Sequence, residues 1–191
     1  MRTRIANAAR ALFMEEGYRA VSMRRIAAAV GCSPMALYGY FPAKIDILRQ
    51  LWKDVFERLF ADLKRIGNQQ RPPAENLKLV ACAYVRYWVD QPDHYRMVFM
   101  SEGVSQPEVS IFVSDDEIAR HYGLFNTLIA KACRAEQASL ILLAECLICS
   151  LNGIAHNLIT MSGYPWSKPE KLVEIAVDGL LAHEVLGQDS N

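Results

Sequence analysis

Apolar residues recur along nearly the whole chain at the three- and four-residue spacing of a helix, and no segment sustains the alternation of a strand. Ile5, Ala9, Leu12 and Phe13 fall on one face of a first predicted helix, which Gly17 ends. A second follows Ser22, a good N-cap, with Met23, Ile26, Ala27 and Val30 on its inner face. Gly31 stands just behind it, where a left-handed conformation is cheapest for glycine. A third opens at Ser33-Pro34: serine accepts an orphan amide, and proline takes the first helical position, where its missing N–H costs nothing. Leu37 and Phe41 form its inner face and Pro42 stops it. Only two or three residues separate the second helix from the third, the spacing of a helix-turn-helix.

A fourth predicted helix starts near Ala43 and runs through Ile45, Leu48, Trp52, Val55, Phe56, Leu59 and Leu63 to about Arg65. The polar stretch GNQQRPP (67–73) breaks the pattern. Leu77, Val80, Tyr84 and Trp88 mark a fifth helix, and residues 93–100 a short sixth. A capping box at Ser114–Glu117 opens a seventh through Ile118, Tyr122, Phe125 and Ile129. Residues 136–162 form a long helix that is apolar nearly all round, which implies burial on several sides. A second capping box, Ser167–Glu170, opens the last helix. The expected fold is all-α: a three-helix N-terminal domain (1–46) joined to a larger helical domain (47–191), with the fourth helix long enough to leave one and enter the other.

Composition sharpens this picture. The 191 residues are 52% hydrophobic and 22% charged, enough for a sizeable core, and the formal net charge is zero. The balance is uneven. Arg2, Arg4, Arg10, Arg19, Arg24, Arg25, Lys44 and Arg49 face only Glu15, Glu16 and Asp46 in the first 49 residues, and the remainder is acidic. A basic first part on an acidic body points to a polyanion met by that part alone. The five cysteines are odd in number and sit mostly in apolar helical patterns; with no leader-like pattern in MRTRIANAARALF, free thiols in a reducing cytoplasm are expected. The longest apolar stretch, 138–151, holds Glu145 and is followed by Asn152, His156 and Asn157, which argues against a membrane span. Histidines are scattered, and no HExxH, GxSxG or phosphate-binding glycine loop is present, so no enzyme, metal or cofactor is expected.

The third helix presents Pro34, Met35, Tyr38 and Tyr40 outward, apolar groups for thymine methyls and hydroxyls for phosphates. Lys44 and the amides that open the fourth helix suit one phosphate, and Ser22 with Arg24 suits another. The plain alternative is two packed helices with semi-buried tyrosines and a solvated lysine. In the larger domain, Trp52, Phe56, Tyr84, Trp88, Tyr95, Phe99, Tyr122, Phe125, Asn152 and His156 are candidates for lining an apolar pocket, or simple core. Asn152 and His156 stand out because they need hydrogen-bond partners if buried. Leu172, Ile175, Ala176, Gly179, Leu180 and His183 on the last helix, with its long apolar predecessor, suit a four-helix interface between two copies.

The stretch ARALFMEEGYRAVSMRRIAAAVGCSPMALYGYFPAKIDIL resembles the DNA-binding domain of TetR-family transcriptional regulators. Ala8, Leu12, Phe13, Gly17-Tyr18, Ser22, Arg24, Ile26-Ala27, Gly31, Ser33, Leu37-Tyr38, Tyr40-Phe41, Lys44 and Leu48 carry the match over about the first 50 residues. The resemblance implies a cytoplasmic homodimer on palindromic double-stranded operator DNA, released by a small, apolar effector, with repression the commoner action. It assigns DNA contact to Ser22, Arg24, Ser33, Pro34, Met35, Tyr38, Tyr40 and Lys44. Gly39 departs from the larger residue usual there, and the basic arm before the first helix is reduced to Arg2 and Arg4. Further on, PDHYRMVFM and NGIAHNL are similar to a subgroup with Tyr-Arg-x-x-Phe and Trp-x-x-x-His-Gly signatures; His156 matches the histidine, while Asn152 and Asn157 replace the tryptophan and glycine. Two other readings stay open: a thiol-based redox-sensing regulator using Cys146 and Cys149, and a helical protein-interaction module without specific DNA binding.

Overall fold

The computed structural model describes residues 1–105, 107–108, 116–133 and 137–188, without the side chains of 116–119, 137–138 and 183–188. All its regular structure is helical: α1 (Arg2–Glu16), α2 (Met23–Val30), α3 (Pro34–Tyr40), α4 (Lys44–Gly67), α5 (Pro73–Asp90), α6 (Pro92–Phe99), α7 (Asp116–Ala132), α8 (Gln137–Thr160) and α9 (Pro169–Gln188). The all-α fold with an N-terminal helix-turn-helix is therefore present. The chain forms two compact units, Met1–Arg58 with Asp93–Ile118, and Leu59–Pro92 with Ala119–Asn191. Hydropathy alone sets a boundary after residue 46; the first unit also takes the opening half of α4, together with α6. One reason is a buried hydrogen bond, in which Trp52 Nε1 of α4 donates to the Met97 carbonyl of α6 at 2.9 Å.

In the first unit, local chemistry sets the helix ends. Gly17, at φ 82°, closes α1, and Tyr18 then packs its ring edge-on to Phe13 at 5.1 Å. Ser22 Oγ accepts the Arg25 N–H at 3.2 Å to start α2. Gly31 ends α2 at φ 68°, ψ 37°, and Cys32 N–H donates back to the Ala27 carbonyl at 3.0 Å, satisfying a carbonyl the helix leaves open. Ser33 Oγ accepts the Ala36 N–H at 3.1 Å, with Pro34 at the first helical position of α3. Leu37 and Phe41 are fully buried, as are Ile5, Ala9, Ile26 and Ala27 opposite them. At α4, the Asp46 carboxylate accepts the Ala43 N–H at 2.9 Å.

In the second unit, α5, α8 and α9 pack pairwise. Leu77, Val80, Tyr84 and Trp88 of α5 meet Leu147, Leu151 and Ala155 of α8 and Val173 and Val177 of α9 in the buried core. Tyr84 sits edge-on to Trp88 and Phe125, at 6.0 and 5.8 Å. Buried Asn76 donates to the Gly67 carbonyl at 2.7 Å and so closes the end of α4. Lys78–Asp178 (2.6 Å) and Arg86–Glu170 ion pairs strap α9 to α5 across the surface. The capping box expected at Ser114–Glu117 lies outside the described residues. The one at Ser167–Glu170 is not the start of α9: the first turn closes on the Lys168 carbonyl instead, with Pro169 as the first helical residue.

Two glycines should respond oppositely to alanine. Gly31→Ala places a Cβ in a left-handed conformation and should cost about 1 kcal/mol. Gly39→Ala lies inside α3, where an added Cβ meets nothing within 4 Å, and should gain about 0.5–1 kcal/mol of helix propensity. Thermal unfolding followed by circular dichroism reads both signs.

Candidate nucleic-acid interface

The outer face of α3 is built by one local rule: Leu37 turns in, so the residues around it turn out. Met35 is 82% exposed, Tyr38 48% and Tyr40 41%, and Pro34 and Ser33 are exposed beside them. Ser22 and Arg24, at the start of α2, are exposed too. Both serine hydroxyls already accept a backbone amide, which leaves the O–H donor of each for an acceptor outside the helix.

Lys44 behaves differently from these seven. The sequence suggests a phosphate contact; the half-buried side chain instead turns inward, onto the α1–α2 turn. Its Nζ donates to the carbonyls of Tyr18 (2.6 Å), Val21 (2.8 Å) and Arg19 (3.5 Å), and sits 4.2 Å from the centre of the Tyr18 ring. Burial pushes its pKa down from the ordinary lysine value. The first amide before α4 is occupied by Asp46.

The two arginines of the short basic arm also turn to backbone. Arg2 donates to the Tyr40 carbonyl at 2.8 Å and covers the Phe41 ring at 4.2 Å, and Arg4 donates to the Val30 carbonyl at 2.6 Å. They close the C-terminal ends of α3 and α2, where a positive charge meets the negative end of the helix dipole. Arg25 pairs with Glu16 at 2.9 Å and Arg49 with Asp46 at 3.3 Å. Much of the basic excess counted in the sequence is therefore consumed inside the unit.

The pocket candidates divide between the units. Trp52, Phe56 and Tyr95 are buried in the first, where Phe99 is 41% exposed with its ring 4.8 Å from Tyr95. Tyr84, Trp88, Tyr122, Phe125, Asn152 and His156 belong to the second. There the Tyr84 hydroxyl donates to Asn152 Oδ1 at 2.7 Å and is hydrogen-bonded to Tyr122, whose own pKa is raised by burial. His156, one turn beyond Asn152, is exposed in the single chain. A groove of about 320 Å³ runs between α7 and α8, lined by Tyr122, Gly123, Asn126, Ile141, Ala144, Glu145, Ile148 and Cys149. Of these, the sequence points only to Tyr122 as a pocket residue; the α8 members belong to a helix expected to be buried on several sides, with Cys149 read as part of a candidate thiol pair.

A family described as "Bacterial regulatory proteins, tetR family" matches residues 5–51, which span the whole helix-turn-helix and the start of α4. Residues 5–51 are thus similar to the DNA-binding domain of that family. The chain is 34% identical over 85 residues to the HTH-type transcriptional repressor KstR of Rhodococcus jostii, covering 44% of this chain and 39% of that protein. It is 23% identical over 103 residues to the HTH-type transcriptional activator FasR of Mycolicibacterium smegmatis, covering 54% and 47%. The matched segments thus span less than half the length of either relative. In fold, it is similar to the transcriptional regulator FadR from Bacillus subtilis in complex with stearoyl-CoA, at a TM-score of 0.76 and 16% identity, over 95% of this chain and 98% of that one.

The second unit leaves several apolar side chains of α8 and α9 exposed. On α8, Ile141 is 47% and Leu142 60% exposed; on α9, Ile175 is 72% exposed, Gly179 is exposed, and Leu172, Ala176 and Leu180 are half-buried. The side chain of His183 lies outside the described residues. The segment Ser139–Thr160 is long and apolar enough by composition to cross a bilayer, yet only 33% of its most apolar window is buried in the single chain. All five cysteines are unbridged, with Cys146 and Cys149 exposed on α8. Among the described residues, no group of three or more His, Cys, Asp or Glu is placed to hold a metal.

The Tyr18 phenol is pushed up to about 12, first by burial and then by the Glu108 carboxylate. The folded state thus keeps the proton that the unfolded chain loses near pH 10. Stability from this group is complete below pH 10 and is lost as the pH rises toward 12. Tyr18→Phe should flatten that alkaline loss, as read by unfolding midpoints between pH 9 and about 12.

Proposed function

We propose that the chain is a ligand-responsive transcriptional regulator that binds palindromic double-stranded DNA as a homodimer. The observation that carries this is α3: a serine-capped, proline-started helix after a three-residue turn, with Met35 and Tyr38 exposed outward and Leu37 locking it from behind. Laid in the major groove, it offers apolar contact to thymine methyls and tyrosine hydroxyls to phosphates, with Ser22 and Arg24 flanking. The two relatives carry the names of a repressor and an activator. Our reading for this chain is repression, because a dimer released by ligand controls transcription by occupancy alone. Such a protein works in the cytoplasm, where the unbridged thiols fit.

The effector in this reading is small and apolar. The α7–α8 groove and the Tyr122–Tyr84–Asn152 string are the parts of the second unit suited to it: an apolar wall with a few convergent polar groups. The stearoyl-CoA bound by the Bacillus subtilis protein makes long-chain acyl thioesters the first compounds to try. Because α4 belongs to both units, a ligand that shifts α4 changes the spacing of two recognition helices in a dimer. The dimer face we assign is the exposed side of α8 and α9, where Ile175 and Leu142 need cover. A thiol-responsive variant rests on the exposure of Cys146 and Cys149, and oxidant-dependent release of DNA that is lost in Cys146→Ser and Cys149→Ser would favour it.

Selection of random duplexes on the purified protein should return a palindrome. Tyr38→Ala should weaken binding to it by about 10–100-fold while the unfolding midpoint stays within a degree or so of wild type. No enriched site would sink the DNA reading in favour of an interaction module. For the dimer, Ile175→Glu should give monomers in sedimentation equilibrium and abolish palindrome binding; a dimer that persists places the interface elsewhere.

A further inference from the structure

We infer that Lys44 is a positioning residue, an internal strut that holds the α1–α2 turn onto the start of α4, and not a phosphate ligand. This rests on the DNA-binding reading above only for its functional consequence; the strut itself stands on geometry. An ammonium has three N–H donors. In Lys44 the three are directed at three carbonyls of one turn, those of Tyr18, Arg19 and Val21, and the Tyr18 ring covers the cation. The two short bonds, to Tyr18 and Val21, aim the ammonium into the turn, and the longer one to Arg19 takes up its remaining side. A lysine reaching for a phosphate keeps its head in water, whereas burial depresses this one's proton affinity.

The turn it grips needs an outside partner. Residues 17–22 join α1 to α2 without regular structure of their own, so their carbonyls depend on groups from elsewhere. The last of them, Ser22, caps α2 and stands beside Arg24, so the place of the turn sets the place of both. Through Lys44, that flank of the groove-reading surface is tied to the first residue of α4. Arg2 makes a second tie, from the Tyr40 carbonyl at the end of α3 to Gln50 of α4 at 3.4 Å. Movement of α4 therefore carries the helix-turn-helix with it as one piece.

Arginine is the informative replacement. Its planar fork serves a phosphate at least as well as an ammonium, but cannot converge three donors on three carbonyls of one tight turn. The test uses the full-length protein and the selected duplex, with Lys44→Met and Lys44→Arg, measuring thermal unfolding without DNA and affinity across a salt series. For a strut, both variants lose about 4 °C or more in Tm, and affinity falls about tenfold or more at every salt. The slope of log K against log[salt] for Lys44→Met then matches wild type. A phosphate ligand gives the reverse: Tm unchanged, Lys44→Arg binding as tightly as wild type, and the Lys44→Met slope shallower by about 0.9 for each subunit. A slope change of that size overturns the inference whatever the Tm does, and so does an unchanged Tm in both variants. If Lys44→Met does not fold, Lys44→Arg alone decides between the two patterns. If the wild type shows no salt-dependent DNA binding, the regulator reading fails, while the Tm shifts still decide the strut.

Discussion

The first unit depends on cationic side chains turned onto backbone carbonyls. α2 has 8 residues and α3 has 7, too short to persist on their own in water. Their N-terminal ends are satisfied by Ser22 and Ser33, but their C-terminal carbonyls and the turn before α2 have few local partners. Arg4 meets the end of α2, Arg2 the end of α3, and Lys44 the turn. Each bond spans 23 to 38 residues of sequence, so each also fastens one helix to another. Small helical units have little apolar area to bury, and charge-assisted bonds of this kind supply part of the difference. The outward face of α3 is then left with neutral side chains, which suits close approach to base edges better than a crowd of lysines.

How much of this was visible in the sequence follows from the range of each interaction. The ends of α2 and α3 were legible because their caps are local: Ser22, Gly31, Ser33 and Pro34 act within three or four residues. Met35 and Tyr38 could be placed on the exposed side of α3 from Leu37 alone. The inward turn of Lys44, Arg2 and Arg4 was not legible, since a count of charges carries no direction. Residue type does not separate core from pocket among the aromatic candidates. Trp52 and Tyr95 are buried in one unit and Tyr84 and Phe125 in the other, and a buried aromatic has the same sequence signature in both. Asn152 and His156 show the same limit more finely. Their one-turn spacing does not tell that Asn152 is bonded to buried Tyr84 while His156 is exposed in the single chain.

The polar string in the second unit constrains any ligand that enters. Tyr84 is fully buried, and its hydroxyl is committed to Asn152. A guest that inserts a polar group there must replace that bond as well as it breaks it, or leave a buried hydroxyl unsatisfied at a cost of about 1–3 kcal/mol. Purely hydrocarbon guests along the α7–α8 groove face no such exchange. Selectivity in this region therefore follows from which guests leave the string alone.

α8 is apolar enough to pass for a bilayer segment, yet only 33% of its most apolar window is buried in a single copy, and Ile141 and Leu142 stand exposed on it. On the two-copy reading, a newly made chain carries this liability until it meets a sister chain. Pairing is second order in concentration, so at low expression the amount of competent regulator rises with the square of the amount synthesised. On that reading, halving synthesis while single copies predominate more than halves the amount of dimer. One helix face would, on that reading, turn a linear change in expression into a steeper change in the paired form.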